Sequence, residues 1–356
     1  LTHLSFIFHD QVASISIFMS NSISASLIPS TFLHPTLEAI SPLRYFEIYF
    51  DVSLAQVYYV ILLCTLPMWF FLFYKKQTIA VLKNIRPERV LHYFFMIGLG
   101  LLLALQSGTV AFHASWLTVI SFIILFATYF CAWVSAVCTN DIHDLKIDQV
   151  SNTSRTLVKG VLTVDEMRSA GFLFTVMALV GGFLLGDYIF YFVVASLALS
   201  YVYSVPPLRL HRVPFLSHFI IALVCLCVTL SGFYMIAADK TVDAFPLYVA
   251  AAILICFTLF SQTKDIKDEK GDRADDVHTL PTLLGERRGK IAIGILNGIG
   301  LFMIPLIFNQ PNFFFVTIPT IFIQWLLIMR KPFIEKYLFY TYFIATFAVA
   351  LIFIFV

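Results

Sequence analysis

The stretch Asn140-Asp141-Ile142-His143-Asp144-Leu145-Lys146-Ile147-Asp148 sets three aspartates three and then four residues apart at the end of a long apolar run. It has an echo. In Asp265-Ile266-Lys267-Asp268-Glu269-Lys270-Gly271-Asp272 three aspartates recur at the same offsets, again after an apolar run. On a helix, offsets of three, four and seven bring side chains to one face, so the sequence predicts two acidic faces. So many carboxylates repel one another unless something neutralises them, and hard divalent cations with oxygen ligands suit the task. Mg²⁺ keeps several waters and is shared between one or two protein carboxylates and the phosphates of a substrate. The pattern therefore points to Mg²⁺ and a diphosphate. A solvated acidic loop is the bland alternative, and the matched offsets of two loops argue against it.

Outward from these stretches, the 356 residues are 60% apolar, 16% aromatic and 12% charged. A soluble domain has roughly 45 to 50% apolar and about 25% charged residues, so an integral membrane protein is expected. The net charge of +2 is too small to argue for nucleic acid, and no nucleic-acid partner is expected. Cys64, Cys131, Cys138, Cys225, Cys227 and Cys256 lie in apolar runs without metal-ligand spacing, and read as small core or lipid-facing residues.

Residues 1–53 form a Ser-rich N-terminal extension of unknown role, with Pro29, Pro35 and Pro42 against any long helix. No basic segment precedes its apolar start, so a cleaved signal peptide is not expected. For residues 1–20, an interfacial helix and disorder both stay open. From there, apolar runs near the ~20 residues needed to cross about 30 Å of hydrocarbon follow one another. They fall near 54–74, 91–109, 114–138, 168–186, 188–204, 215–237, 244–262, 289–308, 312–329 and 337–356. Alternating strand patterns are absent, which leaves an all-α, polytopic membrane helical bundle. With ten spans alternating, nearly every Lys and Arg falls on one side, against Lys240 and Arg44 on the other. That side is expected to be cytoplasmic, and both aspartate clusters lie on it. The opposite loops are expected to be short, about 2 to 7 residues. Helices 91–204 and 215–329 each read as two helices, an Asp-rich loop and two more, suggesting two four-helix units with a cavity between them.

A carboxylate at the hydrocarbon centre costs about 2.5 to 3.5 kcal/mol, so Asn140, Asp141, Asp144 and Asp148 should lie at the interface or face a wet cavity. Cations accompany the acids: Arg155 and Lys159 after the first cluster, Lys264 and Lys267 within the second, and Arg209 in Tyr203-Ser204-Val205-Pro206-Pro207-Leu208-Arg209. Arginine forks match phosphate oxygens, and Lys acts as a movable point charge. Pro206-Pro207 stiffens the turn that carries Arg209, or simply stops a helix. Tyr203 reads either as a phenol reaching phosphate or acceptor or as an interfacial anchor. His143 lies inside the first cluster but off its face and is left out of the site. The other cations, such as Lys75, Lys76, Arg330 and Lys331, read as topology signals.

These residues resemble the UbiA superfamily of intramembrane prenyltransferases. Asn140-Asp141-x-x-Asp144-x-x-x-Asp148 is similar to its first motif, Asp268-x-x-x-Asp272 to its second, and Tyr203-Ser-x-Pro-Pro-Leu-Arg209 to the Tyr-to-basic motif of a connecting loop. The resemblance covers roughly residues 85–356. It implies a nine-helix core with a central cavity open to the cytoplasmic side and to lipid, made of two four-helix units and a closing helix. Residues 54–84 are then an extra N-terminal transmembrane helix and linker. It also implies Mg²⁺ held by Asp141, Asp144, Asp148, Asp268 and Asp272, and an isoprenyl diphosphate as substrate. The chain departs from the family where Asn-Arg-Pro is usual and Ser154-Arg155-Thr156 stands instead, and where Arg209 replaces a lysine.

The expected reaction is prenyl transfer to a hydrophobic acceptor within the bilayer, an aromatic or quinone-precursor ring before a glycerol-phosphate lipid, haem or chlorin. Terpene cyclisation and cation-coupled transport are the remaining alternatives. Asp141, Asp144, Asp268, Arg155 and Lys264 are the expected catalytic set, while Asn140, Tyr203, Arg209 and Asp265 are expected to bind substrate.

Overall fold

An apolar segment in hydrocarbon satisfies its backbone within itself only as a helix, and each expected span is one. The structure, a computed structural model, describes residues 42–108, 110 and 115–355, with side chains from Phe50 onward. The readings of residues 1–20 and of most of the extension lie outside the described residues. In chain order the helices are α1 (Pro42–Phe73), α2 (Lys75–Lys83), α3 (Pro87–Gln106), α4 (Trp116–His143), α5 (Leu145–Ser151), α6 (Val164–Leu184) and α7 (Asp187–Ser204). Then come α8 (Leu216–Ile236), α9 (Leu247–Phe260), α10 (Asp265–Ala274), α11 (Leu280–Leu284), α12 (Glu286–Ile307), α13 (Phe314–Met329) and α14 (Glu335–Phe355). Ten helices among the described residues are long and apolar enough to cross a membrane.

The boundaries that differ from expectation are informative. α4 begins where Ser115 accepts a hydrogen bond from the Thr118 amide at 3.2 Å, and runs to His143 rather than stopping near 138. Its hydrogen-bond ladder then continues into α5, with the Asp144 amide on the Asn140 carbonyl and the Asp148 amide on the Asp144 carbonyl, both 2.9 Å. α6 starts at a reciprocal cap, in which the Thr163 amide donates to Glu166 Oε2 at 2.8 Å and the Glu166 amide to Thr163 Oγ at 3.2 Å. Two connections on the opposite side, 107–115 and 237–246, are longer than the 2 to 7 residues expected, and a bridge joins Val110 of one to Ala237 of the other.

α8 is the axis of the bundle: 61% of its apolar window is buried, against 11% for α1, which lies on the outside. α3 packs backbone to backbone on α8. A Cβ on Gly232 would stand 2.3 Å from the Ile97 carbonyl oxygen, and one on Gly100 only 2.0 Å from that of Thr229. Small residues let membrane helices approach this closely where lipid supplies no hydrophobic drive. α7 and α9 flank α8, α4 lies along α6, and α12 bridges α9 and α13. α1 is tied to the core by Tyr59, whose hydroxyl donates to the Met177 carbonyl at 2.6 Å, and by Gln56 to the Leu184 carbonyl at 2.9 Å. All six cysteines are free, in line with their reading as packing residues.

Candidate active site

The two aspartate rows meet. α5 lies against α10, and the contact is closest at Gly271, whose amide donates to Ser151 Oγ at 2.7 Å. Just beyond α5, the Asn152 amide group donates to Asp148 Oδ1 and to Asp268 Oδ1, both at 3.1 Å, so one side chain spans the rows. Burial decides against the solvated-loop alternative: Asp141 is 1% exposed, Asp148 2%, Asp265 3% and Asp272 8%. Buried carboxylates are retained only when paired, hydrogen-bonded or bound to cations.

Their partners come from four places in the sequence. Arg155 donates to Asp141 Oδ1 at 2.7 Å and also to Asp148. Asp141 further accepts from Arg86 at 2.6 Å and from Asn84 at 2.5 Å, so it is held on both oxygens. Asn140 caps Asp144 at 2.8 Å and accepts from Ser204 at 3.3 Å. Arg209, at the left-handed φ of 40°, donates to Asp144 Oδ1 at 3.2 Å and to the His143 carbonyl at 3.1 Å. Across the cleft Lys264 donates to the Tyr203 hydroxyl at 2.7 Å and stands 3.5 Å from Asp265 Oδ1. The other oxygen of Asp265 lies 3.2 Å from His218 Nε2, near enough for attraction but not aligned as a hydrogen bond. Lys267 and Arg89 converge on Glu335, Lys267 at 2.7 Å.

A cavity of about 190 Å³ opens between the rows, and Asp144, Asp148, Asp268, Asp272, Arg155 and Lys264 all line it. Asn140, Tyr203 and Asp265 line it as well, and inward its wall turns apolar at Tyr93, Trp133, Val224 and Cys225. Of the expected site residues, Asp141 and Arg209 do not line it; they stand behind Arg155 and Asp144. A wider cavity of about 680 Å³ adjoins it, sharing Arg86, Arg89, Asn152, Arg155 and Lys267, and Lys76, Lys83, Lys159 and Lys336 rim its outer side. His143 turns back to the Thr139 carbonyl at 2.8 Å and stays out of the site, as its position off the face predicts.

Outside the spans, burial pushes Asp148 up to about 7 although Arg155 pulls the other way. Burial also lowers His211, which bonds the Tyr203 carbonyl at 2.9 Å and is drawn upward by Asp144. Among the described residues no three His, Cys, Asp or Glu side chains form a metal cage by themselves. The donors nonetheless fit Mg²⁺: they are hard oxygens, the carboxylates of Asp144, Asp148, Asp268 and Asp272 line one cavity, and Mg²⁺ takes only one or two carboxylates where phosphate supplies the rest.

Residues 93–338 match the model of the UbiA prenyltransferase family. The chain belongs to that family. It is a multi-pass integral membrane protein, as the ten apolar helices and the UbiA fold require. A UbiA homologue from Archaeoglobus fulgidus bound to GPP and Mg²⁺ shares the fold, with a TM-score of 0.59 over 76% of this chain and 96% of that one at 15% identity. The chain is 33% identical over 158 residues to a probable homogentisate phytyltransferase 2 of Oryza sativa subsp. japonica chloroplasts, covering 42% of this chain and 41% of that protein. It is 28% identical over 169 residues to a digeranylgeranylglyceryl phosphate synthase of Sulfolobus acidocaldarius, covering 47% and 58%. The aligned stretches thus span about half the length of these two relatives.

Sequence reasoning missed Asn84, Arg86, Asn152, His218 and Glu335. Asn84 and Arg86 precede the residues that match the UbiA model, and the loop carrying them is pinned by Trp133 Nε1 on the Ile85 carbonyl at 2.7 Å. Asn152 had a signal: it sits four residues after Asp148, extending the acidic face by one more turn.

Proposed function

We propose that this UbiA-family chain transfers a prenyl group from an isoprenyl diphosphate to a membrane-accessible acceptor, in a Mg²⁺-dependent reaction. The observation that carries this reading is the Asn152 bridge: two acidic rows remote in sequence face one cavity whose outer wall is cationic and whose inner wall is apolar. Asp144, Asp148, Asp268 and Asp272 are the residues that would hold Mg²⁺, with Asp141 setting Arg155 behind them. Bound Mg²⁺ supplies charge neutralisation that makes diphosphate a good leaving group.

The chain's own part is positional and electrostatic. Arg155 and Lys264 flank the cavity from opposite rows, where they stabilise charge developing on the departing diphosphate. Tyr203 fixes the Lys264 ammonium, and Arg209 fixes Asp144. Asn140 orients Asp144 from the same helix face. Tyr93, Trp133 and Val224 exclude water from the allylic cation, which otherwise captures it. Asp265, between Lys264 and His218, faces the cavity where an acceptor proton is lost. The acceptor is an aromatic or quinone-precursor ring. The excess of Lys and Arg in the loops on the site's side of the bundle supports a cytoplasmic location for it.

Purified protein offered geranylgeranyl diphosphate and aromatic acceptors, with and without Mg²⁺, tests this by mass spectrometry of products. Prenylated acceptor and diphosphate are expected only with Mg²⁺, and Asp268→Ala is expected to lose both while still inserting in membranes. Full activity of Asp268→Ala sinks the assignment.

A further inference from the structure

A side pocket of about 90 Å³ lies between α3, α9, α12, α13 and α14, on the far side of His92 from the cavity between the rows. It shares Arg89, His92, Ile221 and Lys264 with that cavity. It shares Phe257, Phe260, Leu301 and Tyr342 with an apolar groove of about 440 Å³ along the same helices. The pocket therefore connects the polar centre to an apolar approach.

Its walls are aromatic, with the His92 ring 5.1 Å from Phe257 and 5.6 Å from Tyr342, and Phe257 5.9 Å from Tyr342. Three of its polar atoms are uncommitted. Asn297 is 4% exposed and its Oδ1 has no hydrogen-bond partner; Ser261 Oγ and His92 Nδ1 also have none, and His92 is 9% exposed. His92 Nε2 is already engaged with Cys225 Sγ at 3.3 Å, which leaves Nδ1 alone on the other side of the ring. Asn297 belongs to a membrane span, where an unmet polar group is expensive and marks a place for a ligand.

We propose that this pocket seats the prenyl acceptor, and that Asn297, Ser261 and His92 are positioning residues for the hydroxyl groups of an aromatic ring. The inference rests on the prenyl-transfer reading and adds to it the place and the contacts of the acceptor. Asn297 Oδ1 accepts hydrogen bonds, and so does His92 Nδ1 in the tautomer whose Nε2–H donates to Cys225 Sγ, so a ligand with O–H donors suits the pocket. Phe257, Phe260 and Tyr342 offer ring faces and edges to a flat partner. A ring held there stands next to Lys264 and Arg89, at the edge of the cavity in which the allylic carbon is released.

The test separates this inference from the reaction itself. Equilibrium binding of homogentisate, the acid that gives the Oryza sativa relative its name, is measured on detergent-purified protein without turnover. Asn297→Leu is expected to weaken it about tenfold and Ser261→Ala about threefold, the loss of one hydrogen bond each. In the same preparations, prenyl transfer and Mg²⁺-dependent equilibrium binding of geranylgeranyl diphosphate report on the reaction. Donor binding is expected to stay at the wild-type level in both variants, which also shows that they fold. Homogentisate affinity unchanged in both variants overturns the pocket assignment. So does wild-type binding of an isoprenyl glyceryl phosphate in place of homogentisate, or a variant effect confined to the preferred chain length of the donor.

Discussion

Gly271→Ala isolates the meeting of the two rows without touching a charge. A Cβ built at Gly271 falls 2.8 Å from the Ile147 carbonyl oxygen and 2.3 Å from Ser151 Oγ, where ordinary contact begins at 3.4 Å. Ser151 can rotate away, but only by giving up its 2.7 Å hydrogen bond from the Gly271 amide. The Ile147 carbonyl is backbone and cannot. To regain contact α10 must retreat from α5 by about 0.6 Å, and the Asn152 bridge from Asp148 to Asp268 stretches with it. A misplacement near 1 Å costs about a hundredfold in rate when reacting groups depend on alignment. We therefore expect kcat for prenyl transfer to fall between about ten- and a hundredfold, with membrane insertion and thermal stability nearly unchanged. The double variant Gly271→Ala/Ser151→Ala relieves the closer clash and should recover part of the loss. Steady-state release of diphosphate with saturating Mg²⁺ is the assay. Wild-type kcat in Gly271→Ala would refute the claim that the close approach of α5 and α10 sets the site.

Other consequences follow from the contacts around the site. Asn84→Ala removes the 2.5 Å hydrogen bond to Asp141, which sets Arg155, and the KM for the isoprenyl diphosphate is expected to rise up to about tenfold, the loss of one hydrogen bond behind that arginine; steady-state kinetics over a range of diphosphate concentrations check it. Because burial raises Asp148 from 3.8 to about 7, the folded metal-free protein binds a proton that the unfolded chain has already lost. Its stability should fall as pH rises through 4 to 7, read by thermal unfolding in chelator, whereas Mg²⁺ affinity should fall as pH drops below about 7. Glu335→Gln leaves Arg89 and Lys267 facing each other without their shared carboxylate. Because Arg89 and Lys267 keep partial access to solvent, it is expected to destabilise the protein by about 1 kcal/mol, seen as a lower unfolding temperature.

How far the sequence carried is clear from particular residues. The spans were legible because a hydrocarbon-crossing helix needs a long apolar run, and their expected limits shift mainly where caps such as Thr163 with Glu166, or a continued ladder such as that at Asp144, extend a helix. The aspartate offsets were legible because three and four residues mark one helix face. Asn84 and Arg86 were not, since a loop beside the first core helix reads as a linker until Trp133 pins it against Asp141. The burial of Asp141 was equally out of reach, because an acid at a helix end looks the same in sequence whether it faces water or an arginine.

By itself, the sequence determined an all-helical membrane chain with two matched acidic faces and cations beside them, because periodicity and hydropathy are local properties. Only the tertiary structure decided that the faces meet, that Gly271 and Asn152 set their separation, and which polar atoms of α3, α9 and α12 stay unpartnered around a side pocket. Those are distances between helices remote in the chain, and they are fixed by how the helices pack on one another rather than by any pattern along one segment.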